Sequence, residues 1–398
     1  MDLFDKFDDL PKRFEEVVAL GRNPLGVEME NITSPTQVVV EGRNTILAGS
    51  HNYLGLTFDA ECIEAGREAL AQFGTGTTGS RIANGTFKGH KQLEQKLSEL
   101  MNLPTVIVFP TGYQANLGTI AGLAGANDTI LIDADSHACI YDGCKMSGAT
   151  VVRFRHNSPE DLDKRLSRLG DEDSNTLIIT EGLFSMYGDT APLKEIADVK
   201  RNHKAYLLVD EAHSVGVYGP NGRGLAEEVG VADDVDFIVG TFSKSLGSIG
   251  GFCASNHPKA EYLRYASRPY MFTASISPAT VATVMKAADH IEKRPELRDK
   301  LWRNSKHLHK GLSDLGFKLL SGVSPIISAE MPDQETAVRC WNLLMDNGVY
   351  VNLAIPPGTP KGECLLRASM SAAHSSEEID QIIEAYAAVK RTVNDFHP

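Results

Sequence analysis

The sequence predicts an α/β protein: a large domain built on a mostly parallel sheet, with a smaller α+β domain at the C-terminal end. Three observations carry this expectation. From about residue 105 to residue 254, short apolar runs rich in β-branched residues alternate with helical patterns. Polar residues cluster immediately after those runs. Beyond about residue 282 a long helical stretch leads into a shorter strand-and-helix portion. Alternation of this kind implies βαβ units and a sheet covered on both faces. The expected organisation is an N-terminal segment with a helix and a hairpin (1–50), a large α/β domain (51–282) and a small C-terminal domain (283–398).

Taken in order, Leu10 to Leu20 forms an amphipathic start. Thr36-Gln-Val-Val-Val40 and Thr45-Ile-Leu-Ala48, around a Glu41-Gly-Arg-Asn turn, read as a hairpin. A helix follows from Glu61 to about Phe73, then a glycine-rich stretch, Gly74-Thr-Gly-Thr-Thr-Gly-Ser-Arg81. Strands are expected at Thr105–Phe109, Thr129–Asp133, Thr150–Phe154, Thr176–Thr180, Ala205–Asp210, Val235–Gly240 and Gly251–Ala254. Helices start at Gly112, near Ile140, at Pro159 and at Leu193. One long helical stretch is expected from Thr280 to Leu315, and a last helix from Ser376 to Asn394.

A net charge of -13, without a basic stripe, argues against nucleic-acid binding. Met1-Asp-Leu-Phe-Asp-Lys-Phe is acidic and lacks the plan of a secretory signal. No apolar stretch approaches the roughly 18–20 residues of a membrane span. Six scattered cysteines without CxxC spacing suggest reduced thiols in a cytoplasmic protein, with no disulfide frame and no metal site.

In open parallel sheets, ligands bind beyond the carboxyl ends of the strands. Five such ends carry polar groups: Gly112-Tyr113, Asp133-Ala-Asp-Ser-His137, Glu181-Gly-Leu-Phe-Ser185, Asp210-Glu-Ala-His213 and the segment around Lys244. Singly, each has an ordinary explanation. His137 suits a satisfied buried histidine, Asp210 a helix cap, Ser185 a turn, and most lysines are solvated. Five together are harder to dismiss. Gly240-Thr-Phe-Ser-Lys-Ser-Leu-Gly247 joins hydroxyls and flexible backbone, a good phosphate cradle, to one lysine able to act as an amine nucleophile. A phosphate seat, a lysine, an aspartate for a basic ring nitrogen and a ring-stacking imidazole describe the needs of pyridoxal 5'-phosphate.

The succession Asn52-Tyr-Leu-Gly-Leu, Gly74-Thr-Gly-Thr-Thr-Gly-Ser-Arg, Asp135-Ser-His-Ala, Phe184-Ser-Met-Tyr-Gly-Asp, Asp210-Glu-Ala-His-Ser, Gly222-Arg-Gly and Gly240-Thr-Phe-Ser-Lys resembles the α-oxoamine synthases, which have the type I, aspartate-aminotransferase-like fold of pyridoxal-phosphate enzymes. The resemblance runs from about residue 30 to the C-terminus. Within the family the phrasing is closest to the bacterial soluble serine palmitoyltransferases, through Asp133 to Gly143, Phe154-Arg-His-Asn157 and Arg268-Pro-Tyr-Met-Phe-Thr-Ala-Ser275.

The resemblance implies roles at the matching positions. Lys244 would form the Schiff base, Asp210 would pair with the pyridinium, and His137 would stack on the ring. These three would be the catalytic residues. His213 and Ser185 would hydrogen-bond the ring hydroxyl; Gly112, Tyr113, Thr241 and Ser243 would hold the phosphate. Thr273 and Ala274 would reach the phosphate of a neighbouring subunit in a homodimer. Asn52, His137 and Arg367 would bind substrate, Arg367 through the amino-acid carboxylate. The implied reaction condenses L-serine with palmitoyl-CoA, with loss of carbon dioxide, in sphingolipid biosynthesis. Sister activities keep the chemistry and change the substrates: glycine C-acetyltransferase, 8-amino-7-oxononanoate synthase and 5-aminolevulinate synthase. A non-catalytic partner subunit is the alternative of another class, opposed by the presence of Lys244, Asp210 and His137. One departure concerns Ile355, before Pro356-Pro357, where some bacterial relatives carry an arginine; it leaves more of the carboxylate binding to Arg367.

Overall fold

A computed structural model describes residues 2–170 and 175–396. The chain divides into two compact units, one comprising Met1–His51, Met186–Gly188 and Lys300–Pro398, the other Asn52–Ser185 and Asp189–Asp299.

The second of these is built on a seven-stranded sheet. Its spatial order is Thr105–Phe109, Gly251–Ser255, Phe237–Thr241, Tyr206–Asp210, Thr176–Glu181, Thr129–Asp133 and Thr150–Phe154. Gly251–Ser255 runs antiparallel to both its neighbours, and the other six strands share one direction. The mostly parallel sheet expected from the sequence is therefore present. Central strands such as Thr176–Glu181 and Phe237–Thr241 are buried at every position, which is why they read as unbroken apolar runs. Ile107, Ile120, Ile132, Ile179, Leu208 and Val239 meet in one core between sheet and helices. Burying each such side chain contributes about 1.5–3 kcal/mol. The shared direction brings Phe109, Asp133, Phe154, Glu181, Asp210 and Thr241 to one edge of the sheet.

Helices flank this sheet. Asp59 caps Ala60–Phe73 by accepting from the N–H groups of Glu61 and Cys62. Pro278–Lys293 packs against that helix and against Lys88–Met101. The latter was not anticipated, although Leu93, Leu97, Leu100 and Met101 recur at helical spacing and are buried. The continuous helical stretch expected from Thr280 to Leu315 is instead two helices, Pro278–Lys293 and Pro295–Asp314. Pro295 lacks an N–H and drives the preceding residue out of the α region; Arg294 accordingly sits at φ −125°, ψ 62°.

The other unit holds two small sheets. Gln37–Val40 and Arg43–Leu47 form the expected hairpin, flanked by Asn31–Ser34 on one side and, in parallel, by Val349–Tyr350 on the other. Ile326–Met331, Cys364–Ser369 and Asn352–Ala354 make a three-stranded antiparallel sheet. Gln334–Asp346 packs against Ser376–Phe396. All six cysteines are unpaired and buried, Cys139 and Cys144 in the core of the larger sheet. Among the described residues, no helix is long and apolar enough to cross a membrane.

Candidate active site

Beyond the end of Phe237–Thr241 the chain makes a tight excursion around Lys244. Phe242, fully buried, anchors it: its N–H donates to Gly250 O at 2.9 Å and its carbonyl accepts from Ser248 N at 2.8 Å. Gly247 N–H donates to Lys244 O at 2.9 Å. Gly247 has φ 61°, and a Cβ there would lie 3.1 Å from Thr57 N, so the turn needs glycine on both counts. This contact also brings the Asn52 segment to the lysine turn, since Asn52 Nδ2 donates to Thr57 Oγ1 at 2.7 Å. Lys244 is half-buried. Beside it, Thr241 Oγ1 donates to Gly250 O at 3.0 Å and meets Ser243 Oγ at 2.9 Å.

Thr241 stands against the start of the helix Gly112–Leu123. The first N–H groups of a helix have no partner within it and favour an anion. Thr111 caps the helix, accepting from Gln114 N at 3.1 Å. A Cβ at Gly112 would come 2.6 Å from Thr241 Oγ1, so only glycine lets the hydroxyl close on the helix end. Tyr113 is exposed, donates its hydroxyl to Asp142, and meets the His137 ring edge-on at 6.4 Å and 78°. Gln114 Nε2 donates to Thr273 Oγ1 of the same chain at 3.3 Å, and Ala274 forms a β-bridge with Ser80 in the glycine-rich loop.

Asp210 ends the next strand and is buried. Its Oδ2 accepts from Asn116 Nδ2 at 2.7 Å and its Oδ1 from Ala212 N at 2.9 Å. Glu211 is also buried, accepting from the N–H groups of Leu225 and Ala226 at 2.9 and 2.8 Å and from the Ser214 hydroxyl. Burial pushes its carboxyl up, and these donors oppose the rise. His213 is buried too, with Nδ1 2.7 Å from the Tyr53 hydroxyl. When the phenol donates, Nδ1 accepts and Nε2 carries the proton.

His137 caps Ala138–Ser147 and is exposed at the strand ends, its Nδ1 accepting from Cys139 N at 3.2 Å. Desolvation by its surroundings holds the imidazole below its ordinary pKa. The charge on Lys244 acts in the same direction, and that on Asp210 opposes it. The His137 N–H donates to Glu181 Oε1 at 2.5 Å. Glu181 pairs with Asp210 in the sheet register and is buried. Burial, then the neighbouring Asp210 charge, raises its carboxyl well above the usual range, while the His137 N–H and Lys244 pull it down. Ser185, half-buried, follows four residues later.

Arg367 belongs to the other unit. It lies on Cys364–Ser369, between Ser328 and Asn352 in register, is buried, and has a guanidinium nitrogen 2.6 Å from His51 Nε2.

Lys244, His137, Asp210, Gly112, Tyr113, Ser185, His213, Thr241, Ser243, Thr273, Ala274 and Asn52 therefore share one unit, and Arg367 lies in the other. Sequence reasoning gave no role to Tyr53, Asn116 or Glu181. Glu181 opens one of the five polar strand ends and Tyr53 lies within the Asn52 motif, whereas Asn116 had no local signal. A glycine-lined helix start beside two hydroxyls, a half-buried lysine and a clamped carboxylate fit pyridoxal phosphate in donor type and charge.

Comparison with known proteins agrees. Residues 44–385 match the family described as Aminotransferase class I and II. A serine palmitoyltransferase of Caulobacter vibrioides is 54% identical over 398 residues, covering 100% of this chain and 98% of the relative. One from Sphingomonas paucimobilis is 49% identical over 395 residues, covering 98% and 94%. A solved structure of the S. paucimobilis enzyme with a bound PLP–myriocin aldimine superposes with TM-score 0.97 at 48% identity, covering 99% of this chain and 100% of that one. The chain belongs to the class I and II aminotransferase family of pyridoxal-phosphate enzymes and, within it, to the serine palmitoyltransferases.

Proposed function

We propose that the protein condenses L-serine with palmitoyl-CoA, releasing carbon dioxide and free CoA and forming 3-ketodihydrosphingosine. The observation that carries this reading is the meeting of Lys244, Asp210 and His137 at one sheet edge, in a chain 54% identical to a serine palmitoyltransferase.

Pyridoxal phosphate supplies an electron sink for the negative charge that develops on serine Cα. Lys244 would hold the cofactor through Nζ, and the same Nζ, as a free amine, would take the proton from serine Cα. Asp210, fixed by Asn116 and Ala212, is the partner of the ring nitrogen and keeps it protonated. His137, its pKa lowered by desolvation, offers its imidazole face to the ring. His213 and Ser185 serve the ring hydroxyl. Gly112, Tyr113, Thr241 and Ser243 serve the phosphate. Asn52, His137 and Arg367 orient serine, Arg367 through the carboxylate.

In this reading the enzyme is a homodimer in which Thr273 and Ala274 serve the partner's phosphate. Tyr262, Tyr265 and Phe272, 66%, 69% and 68% exposed in one short segment, support an interface there. Six buried, unpaired cysteines suit a reducing cytoplasm.

Mass spectrometry of the product from isotope-labelled serine and palmitoyl-CoA tests the assignment. The expected product is a labelled C18 amino ketone that has lost the serine carboxyl, absent with Lys244→Ala. Product from glycine or alanine but not from serine would overturn the substrate assignment.

A further inference from the structure

His156 plays no part in the chemistry assigned above, yet it is held at both ring nitrogens near the strand ends. It follows the strand Thr150–Phe154 and is largely buried between two carboxylates. Nδ1 lies 2.8 Å from Asp133 Oδ1 and Nε2 2.8 Å from Asp189 Oδ2. A neutral imidazole donates through one nitrogen and would turn a lone pair on the other carboxylate; only the doubly protonated ring satisfies both. Burial alone would lower its pKa, but the hydrogen bonds to Asp133 and Asp189 outweigh that and raise it to about 10.

Asn157 repeats the span. Its N–H donates to Asp133 Oδ2 at 2.9 Å, and its Nδ2 donates to Asp189 Oδ2 at 2.7 Å and to Thr190 O at 3.2 Å. It does so from φ 52°, a left-handed backbone that asparagine tolerates better than most residues. The two carboxylates stand at the roots of different loops. Asp133 opens Asp133-Ala-Asp-Ser-His137. Asp189 closes the loop that carries Ser185, through Phe184 N–H to Asp189 O at 2.9 Å and the Leu183–Thr190 bridge. The His156 ring also meets Phe184, the neighbour of Ser185, edge-on at 4.5 Å and 89°.

We propose that His156 is a positioning residue: by clamping Asp133 to Asp189 it fixes the Ser185 loop against the His137 loop, and so sets the hydrogen bond from Ser185 to the cofactor's ring hydroxyl. The inference rests on the reading of Ser185 given above.

A double-mutant cycle on the holoenzyme tests it, pairing Asp189→Ala with Ser185→Ala. The readouts are cofactor affinity for the apoprotein and the ratio of the two absorbance bands of the lysine-bound cofactor, which report the state of the ring hydroxyl. Asp189→Ala is expected to shift the ratio and weaken cofactor binding about tenfold, the scale of one hydrogen bond, and to do neither when Ser185 is already alanine. His156→Arg, whose guanidinium carries donors enough for both carboxylates, is expected to keep the wild-type ratio. A purely structural clamp would lower apoprotein stability and leave the ratio unmoved. Equal shifts in both backgrounds overturn the proposal and leave the Ser185 reading standing; a Ser185→Ala variant with an unchanged ratio overturns both. If Asp189→Ala does not fold, Asp189→Asn enters the same cycle with the same expectation at smaller size, and equal shifts there are equally fatal.

Discussion

Asn116 donates its Nδ2–H to Asp210 Oδ2 at 2.7 Å from the second turn of the helix that begins at Gly112. In the proposed reading, one helix would present its N-terminus to the phosphate and, four residues on, orient the carboxylate assigned to the ring nitrogen. Removing that donor leaves a buried carboxylate short of a charge-assisted hydrogen bond, worth about 1.5–3 kcal/mol. Asn116→Ala is therefore expected to lower kcat/KM by about 10- to 100-fold, with little change in overall fold by circular dichroism. Unchanged steady-state kinetics would remove Asn116 from the account.

Tyr53 is fully buried and its hydroxyl lies 2.7 Å from His213 Nδ1. Tyr53→Phe leaves that nitrogen buried without the phenol. It is expected to lose about 1–3 kcal/mol of apoprotein stability and, if His213 serves the ring hydroxyl as proposed, to shift the absorbance of the lysine-bound cofactor. A stability loss with an unaltered spectrum would make Tyr53 a packing residue only.

Glu94 is shared by two guanidinium groups, Arg81 at 2.9 Å and Arg264 at 2.8 Å, and all three side chains are buried. Glu94→Gln would leave two buried cations facing an amide. Denaturant unfolding is expected to show a loss of roughly 3–5 kcal/mol that salt barely changes. A loss below about 1 kcal/mol would mean the cluster behaves like an exposed pair.

His156 contributes a pH dependence to stability. Its folded-state pKa of about 10 lies above the unfolded value, which is about 6.5. Its contribution is therefore fully present below pH about 6.5 and is lost as the pH rises through about 10. Unfolding free energies measured across that window should fall for the wild type and fall less for His156→Arg, whose charge persists. Parallel curves for the two proteins would contradict the assignment of a charged His156.

The sheet was legible in the sequence because its strands are buried on both faces, so that Thr129–Asp133 or Thr176–Glu181 announces itself as an apolar run ending in an acid. The clustering of the candidate site was legible for a related reason: one sheet edge gathers the residues that follow each run, and Lys244, Asp210 and His137 lie together there. What stayed hidden depends on distant pairing or on partners. The parallel pairing of Val349–Tyr350 with Ile46 and Leu47 has no local pattern. Asn116, inside a helix, looks like any polar residue until the Asp210 strand arrives beside it. Pro295 carried its own signal, and the break it makes between two helices was there to be read.

The most direct test is the absorbance of the purified, cofactor-loaded protein during separate titrations with serine, glycine and alanine, followed by palmitoyl-CoA with free thiol measured in parallel. The expected result is a band from the cofactor bound to Lys244, a shift of that band with serine, and stoichiometric thiol release when palmitoyl-CoA follows. A response confined to glycine or alanine would move the enzyme to a sister activity. Absence of the band in cofactor-supplied wild type, or its persistence in Lys244→Ala, would contradict the central assignment.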